Sequence, residues 1–207
     1  MIIVIAGPTG SGKSDLAFAL SNKLNNSPII NGDAFQIYQE MNIGTAKVDK
    51  DSEEYKRTYL LDIKTPEQTF SVKEYQDLFR KTYEQLSLEH KNVIVCGGTG
   101  LYIRAALMDY HFEEMEDDDV SDLEKLDNDQ LYDMLLSLDK DALETIHKNN
   151  RKRMIRAISI ARTHSVNKSE NIKSQSHTYY YPKEDIKIFM IDMDRELLYE
   201  RINKRVE

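Results

Sequence analysis

The residues with the most chemistry in this sequence are Gly7-Pro8-Thr9-Gly10-Ser11-Gly12-Lys13-Ser14. They follow the apolar run Ile2-Ile3-Val4-Ile5-Ala6 and precede Asp15-Leu16-Ala17-Phe18-Ala19-Leu20. That order predicts a buried strand, a glycine-rich turn and a helix. The spacing fits G-x-x-x-x-G-K-[ST], the loop that cradles phosphates. Glycines let backbone N–H groups curl around a phosphate without a Cβ clash. The helix start adds partial positive charge. Lys13 is expected to reach the terminal phosphates and Ser14 to hold Mg²⁺.

Three other groups of residues suit chemistry beside a phosphate. Asp33 follows the short apolar run Pro28-Ile29-Ile30-Asn31. Open α/β sheets bind ligands at the carboxyl ends of their strands, so Asp33 is placed either for chemistry or as a helix cap. A second glycine turn, Gly97-Gly98-Thr99-Gly100, follows the strand pattern Asn92-Val93-Ile94-Val95-Cys96 and opens another helix. It predicts a second ligand-facing loop at the same sheet edge. Arg201 and Arg205 lie four apart in an amphipathic pattern, so both guanidinium groups share one helix face. They either clamp a leaving phosphate or pair with Glu196 and Glu200. Cys96, the single cysteine, reads as core in its apolar run and excludes an intramolecular disulfide.

The elements that must position these groups follow from pattern and composition. The 207 residues are 40% hydrophobic and 31% charged, which suits a globular domain with a small insertion. There is no apolar run long enough to span a membrane, and the chain enters a strand at once without a basic leader. These features predict a cytoplasmic protein. The expected strands are 2–6, 28–31, 59–63, 92–96 and 186–193. The expected helices are 13–24, 72–88, 101–108 and 195–205. Charge divides the chain: residues 110–146 carry 14 acidic and 2 basic side chains, within a net charge of −8. Its 113–119 run reads as a solvated loop. Asp127 is expected to cap a helix carrying Leu131, Met134, Leu135 and Leu138, and Asp139 to start a short one through Ile146. Residues 147–168 hold seven Lys and Arg and no Asp or Glu. A helix over 147–162 would point Met154, Ile155, Ile158 and Ala161 inward and present either a solvated face of ordinary Lys and Arg cover or, with no acidic neighbours to pair with, an anion or RNA surface. Residues 165–176 read as a polar loop. The division is therefore a P-loop core over 1–109 and 147–207, with a helical insertion over 110–146.

Together these motifs resemble the tRNA dimethylallyltransferases, also called tRNA isopentenyltransferases. The resemblance runs through most of the chain. It includes GPTGSGKS at 7–14, Asp33-x-x-Gln36-x-Tyr38, Asn42-Ile43-Gly44-Thr45-Ala46-Lys47 and Leu61-Asp62-Ile63. It continues through Gly97-Gly98-Thr99-Gly100-Leu101-Tyr102, His147-x-Asn149-Asn150-Arg151-x-Arg153-x-x-Arg156-Ala157 and Arg195-x-x-Leu198-Tyr199-x-Arg201-Ile202-x-x-Arg205-Val206. The pattern departs at Arg57-Thr58-Tyr59, where the family often has paired histidines, and at Lys152, where Gln is usual.

The resemblance implies an α/β fold, a P-loop NTPase-like parallel sheet flanked by helices with a small helical insertion. It implies transfer of a dimethylallyl group from its pyrophosphate to the exocyclic amine of an adenine beside the tRNA anticodon. Residues Gly7 to Ser14 then hold pyrophosphate, with Mg²⁺ at Ser14. Asp33 is the general base, grouped with Thr9, Arg201 and Arg205 as the catalytic set. Lys13 and the two arginines neutralise the leaving group. The Asp33-Ala34-Phe35-Gln36 block meets the flipped base, read by the Gln36 amide. Thr99 and Lys152, Arg153, Met154, Ile155 and Arg156 match tRNA-contacting positions, and the insertion approaches the anticodon arm. The partners expected are tRNA and dimethylallyl pyrophosphate, with no membrane and a monomeric enzyme. The chain stops in mid-pattern at Glu207, so a C-terminal part is expected to be missing.

Three other readings use the same loop. A small-molecule kinase would place ATP on Lys13 and Ser14 and use Asp33 on a hydroxyl, but such enzymes usually carry an acidic Mg²⁺ partner where this chain has Gly-Gly-Thr-Gly. An isopentenyltransferase acting on free adenine nucleotide has no use for the insertion and the basic stretch. A non-enzymatic nucleotide-binding module has no use for an acid and an arginine pair.

Overall fold

The computed structural model describes residues 1–110, 112, 120–163 and 178–206. The expected loops at 113–119 and 165–176 lie outside them. The chain forms two compact units, Met1–Tyr110 with His177–Glu207, and His111–Ser176.

In the larger unit five parallel strands form one sheet in the order β3-β2-β4-β1-β5. They are β1 (Ile2–Ala6), β2 (Ile29–Asn31), β3 (Thr58–Tyr59), β4 (Val93–Gly97) and β5 (Ile186–Met190). β1 runs between β4 and β5, in register Ala6 opposite both Gly97 and Met190. All five β1 residues are buried, as expected of a strand covered on both faces. Ile2 and Val4 join Tyr75 and Phe79 from α3 (Val72–Glu89) in one layer. Ile3 and Ile5 join Ala17 from α1 (Lys13–Lys23) in the other. The period-2 alternation of one strand thus feeds two helix layers.

Local chemistry sets the helix ends. Ser71 and Glu74 form a capping box at the start of α3, satisfying two backbone donors reciprocally. Gln76 on α3 is buried because its amide donates to Ala105 and Tyr110 carbonyls, each at 2.9 Å. A four-residue helix, α2 (Glu53–Lys56), is capped by Ser52. α4 (Gly100–Leu107) follows the second glycine turn, and α7 (Arg195–Val206) follows β5.

Two expected strands are shorter. Of the 59–63 segment only Tyr59 pairs in the sheet, together with Thr58 before it. Leu60 and Asp62 adopt left-handed φ of 62° and 53°, which breaks the extended geometry. The chain then leaves β2 and bonds to 36–39, with the Asp62 N–H donating to the Gln36 carbonyl at 3.2 Å. β5 ends at Met190 rather than 193. Among the described residues no helix is long and apolar enough to cross a membrane.

The described residues of the smaller unit form helices and turns. α5 (Asn128–Leu138) opens on a capping box from Asp127 and Gln130. A 3₁₀ turn spans Lys140–Glu144 in place of the expected short α-helix. α6 (Arg151–Thr163) begins four residues after 147, because the Asn150 side chain accepts the Arg153 N–H and starts the helix there. Met154, Ala157 and Ile158 of α6 close on Leu131 and Leu135 of α5. The sequence division put this basic helix in the P-loop core. Its apolar face instead makes the core of the 111–176 unit, which therefore runs past 146.

Candidate active site

Three loops leave the same end of the sheet, at the carboxyl ends of β1, β2 and β4. The registers Ala6 to Gly97 and Asn31 to Cys96 bring them side by side. The first is the P-loop. Gly10 and Gly12 hold φ of 83° and 84°, a region costly to any residue with a Cβ. Gly12 caps α1, whose first N–H groups have no intrahelical acceptor. The Lys13 ammonium donates to the Pro8 carbonyl at 3.2 Å, across the loop. The Ser11 hydroxyl is buried there without a hydrogen-bond partner. Beside the loop, burial pushes the Cys96 thiol up to about 11. Cys96 is thus a packed neighbour of the loop and a poor nucleophile.

The second loop carries Asp33. The Asn31 side chain accepts the Asp33 N–H at 3.0 Å and donates to the Asp33 and Leu60 carbonyls. Asp33 Oδ1 accepts the Phe35 N–H at 2.9 Å. The residue is therefore a turn former through one oxygen, while Oδ2 has no hydrogen-bond partner among the described residues. No helix follows Asp33, so its Oδ1 closes a turn and does not cap a helix, which was one of the two sequence expectations. The third loop supplies Thr99, whose Oγ1 accepts the Ala34 N–H at 3.0 Å and whose N–H donates to the Gly32 carbonyl at 3.1 Å. These contacts need a close approach of backbones. A Cβ on Gly97 would stand 2.1 Å from the Gly32 carbonyl carbon.

A cavity of 780 Å³ opens over these loops, within the range of small-molecule sites. Thr9, Lys13, Ser14, Asp33, Arg201 and Arg205 all line it. Its outer wall is the turn 40–48, with Phe18, Met41, Ile43 and Val48 as apolar surface. The Gln36 amide donates to the Thr45 carbonyl at 3.0 Å, and Arg205 donates to the Gly44 carbonyl at 2.6 Å. α7 rests against the P-loop: a Cβ on Gly12 would lie 3.9 Å from Arg201 Nη1. Neither arginine pairs with Glu196 or Glu200 among the described residues, which removes the salt-bridge alternative. The site thus gathers a glycine-rich loop, three cationic side chains and a carboxylate around one cavity.

Three comparisons bear on what this arrangement is. The protein-family model described as IPP transferase matches residues 36–207. The chain belongs to the IPP transferase family. A tRNA dimethylallyltransferase from Bacillus anthracis is 40% identical over 212 aligned positions, covering 100% of this chain and 66% of the relative. The chain thus spans just under two thirds of the length of the curated relatives it matches. A solved tRNA delta(2)-isopentenylpyrophosphate transferase from Staphylococcus epidermidis is 42% identical, with TM-score 0.61 over 99% of this chain and 67% of that one. A solved eukaryotic dimethylallyltransferase acting on tRNA is 26% identical, with TM-score 0.81 over 99% of this chain and 51% of that one. The expected P-loop-like parallel α/β fold is therefore the fold of this family. The P-loop itself precedes the residues matched by the family model, while the relatives align across it.

The remaining residues singled out from the sequence lie in the smaller unit. Lys152, Arg153 and Arg156 are exposed, whereas Met154 is fully buried in the helical core and Ile155 packs partly against it. Of the five-residue stretch, three cations are exposed. Arg151 is not one of them. It donates to the Leu126, Glu124 and Leu123 carbonyls and to Asn128, closing the turn before α5. Arg162 pairs with Asp122 and Lys148 with Asp129. Sequence reasoning missed Phe18 as a wall of the cavity and gave Lys47 no role. Nothing local in the sequence shows which cavity Phe18 borders.

Proposed function

We propose that this chain transfers a dimethylallyl group from dimethylallyl pyrophosphate to the exocyclic amine of an adenine adjacent to the anticodon of a tRNA. The observation that carries this reading is the shared cavity of Asp33, Lys13, Arg201 and Arg205. A site of this kind can deprotonate one partner while it stabilises the departing charge of the other. The amine lone pair attacks C1 of the isoprenoid as the C1–O bond breaks. The amine proton goes to Asp33, and the electron pair leaves with pyrophosphate. Gly7, Pro8, Thr9, Gly10, Ser11 and Gly12 form the loop around the pyrophosphate, and Lys13, Arg201 and Arg205 neutralise it.

The donor set suits Mg²⁺. Among the described residues there is no cluster of three or more His, Cys, Asp or Glu able to hold a metal. Ser14 offers one hard oxygen, and Mg²⁺ commonly takes few protein ligands while binding substrate phosphates and water. When bound, the ion supplies charge neutralisation at the pyrophosphate. Ala34, Phe35 and Gln36 form the wall that meets the base. Thr99 supports that wall, and Lys152, Arg153 and Arg156 meet the tRNA backbone. Met154 and Ile155 hold these cations on the helix. The enzyme acts as a cytoplasmic monomer on the tRNA.

Labelled dimethylallyl pyrophosphate incubated with the chain and either tRNA or adenosine monophosphate tests the reading. Label in tRNA is expected. Label only in the nucleotide assigns the free-nucleotide reaction, and phosphoryl transfer from ATP assigns a kinase. Asp33→Ala is expected to lower turnover by about 10²-fold or more while tRNA still binds. Normal turnover by that variant would remove the general base from the mechanism.

A further inference from the structure

We propose that the buried Lys47–Asp62 ion pair is a positioning device for the reaction, holding the turn that presents Gln36 and Arg205 to the cavity. This rests on the reading above. Lys47 is 0% exposed in its side chain and Asp62 is 7% exposed. The ammonium donates to Asp62 Oδ1 and to the Tyr38 carbonyl, each at 2.6 Å. The Tyr55 hydroxyl donates to Asp62 Oδ2 at 2.7 Å. Both carboxylate oxygens are therefore occupied, inside the protein, by groups that come from separate segments.

Stability alone is a poor account of such a pair. Desolvating two charges costs roughly as much as their attraction returns, and an apolar replacement is often neutral. What the pair does is geometric. Lys47 ends the 42–47 turn, whose Lys47 N–H donates to the Asn42 carbonyl at 3.0 Å. Ala46 beside it holds a φ of 47°, and Asp62 one of 53°. Both are left-handed conformations that a residue with a Cβ adopts only at a cost and keeps only when its surroundings demand it.

The pair reaches the cavity by two routes. From Asp62, the backbone N–H donates to the Gln36 carbonyl at 3.2 Å, and the carbonyl accepts the Gln39 amide at 3.0 Å. From Lys47, the turn carries the Thr45 carbonyl to the Gln36 amide and the Gly44 carbonyl to Arg205. Gln36 is thus gripped at both its backbone and its side chain. Arg205 is held through one N–H, and the rest of its fork remains for phosphate. The pair touches neither reacting atom. Lys47 and Asp62 are positioning residues, and their contribution is pre-organisation.

The test compares the parent with Lys47→Met/Asp62→Asn, which removes both charges and keeps an acceptor for Tyr55. Three quantities are read: the thermal midpoint, inorganic pyrophosphate affinity by calorimetry, and kcat and KM for labelled prenyl transfer to tRNA. The expected double variant melts near the parent, binds pyrophosphate about fivefold more weakly and has kcat lower by about tenfold, with KM for tRNA within about threefold. A double variant that melts, binds pyrophosphate and turns over like the parent overturns the proposal. So does one whose losses all follow its melting. Tyr55→Phe leaves both charges in place and decides the matter if the double variant does not fold. It is expected to shift pyrophosphate affinity in the same direction by about twofold, and an unchanged affinity counts against the device. If the parent itself transfers no label, the prenyl-transfer reading fails, while the pyrophosphate titration still decides the positioning role.

Discussion

Thr99→Val separates two roles for the second glycine turn. Family resemblance gives Thr99 an RNA contact. The structure gives its oxygen a different task, accepting the Ala34 N–H at 3.0 Å across 65 residues of chain. Valine keeps the shape and removes that acceptor. A partly buried N–H left without a partner costs about 1–3 kcal/mol. The Asp33 turn keeps its tie to Asn31, so the loss falls on how firmly Ala34, and with it the carboxylate, is held. Expressed wholly at the transition state, that range lowers the rate by about 5- to 160-fold. The assay is rapid-quench, single-turnover transfer of labelled dimethylallyl to saturating tRNA, with Thr99→Ser as the variant that keeps the hydroxyl. We expect Thr99→Val to slow the single-turnover rate within that range, Thr99→Ser to stay near the parent, and KM for tRNA to change little. A Thr99→Val enzyme with an unchanged single-turnover rate and a raised KM for tRNA would refute the positioning argument and assign Thr99 to RNA contact.

Two further outcomes follow from the same geometry. Gly97→Ala drives a methyl to 2.1 Å from the Gly32 backbone and is expected to prevent native folding, read as loss of the cooperative thermal transition. A native-like melting curve would show that β4 and the Asp33 loop separate without penalty. Burial tends to raise the Asp62 carboxyl, but hydrogen bonds from Lys47 and Tyr55 and the charges of Lys47 and Lys50 outweigh it and hold it below the usual 3.8. A carboxylate whose folded pKa is depressed stabilises the protein above its unfolded pKa and loses that contribution as pH falls through the folded value. The gap in melting temperature between the parent and Asp62→Asn is therefore expected to narrow from about pH 5 to about pH 2; a gap that stays constant would show that the carboxylate is not held as a charge.

What was legible in the sequence was local. The P-loop spacing, its flanking strand and helix, and the Asp127 cap of α5 each involve residues within one or two turns of each other. Their geometry is dictated by backbone sterics and nearby donors. The family follows from the same kind of pattern, taken in order along the chain. The 59–63 run shows where locality fails: apolar residues suggested a strand, and backbone bonds to 36–39 turned it into a bend.

By itself, the sequence determined that a strand, a phosphate loop and a helix open the chain, that Asp33 follows a second strand, and that cations cluster over 147–162. Only the tertiary structure decided which of these meet. Asp33 and the P-loop share a cavity because parallel strands bring their carboxyl ends to one edge, whatever their distance along the chain, and α7 adds Arg205 to its wall. Arg205 bonds a carbonyl 161 residues away, and Lys47 is joined to Asp62 inside the protein. The basic helix went to the smaller unit because burying Met154, Ala157 and Ile158 against α5 governs its position, and its charges do not. Side-chain type states what a residue can do; the close packing of distant segments, which no local spacing encodes, sets what it acts upon.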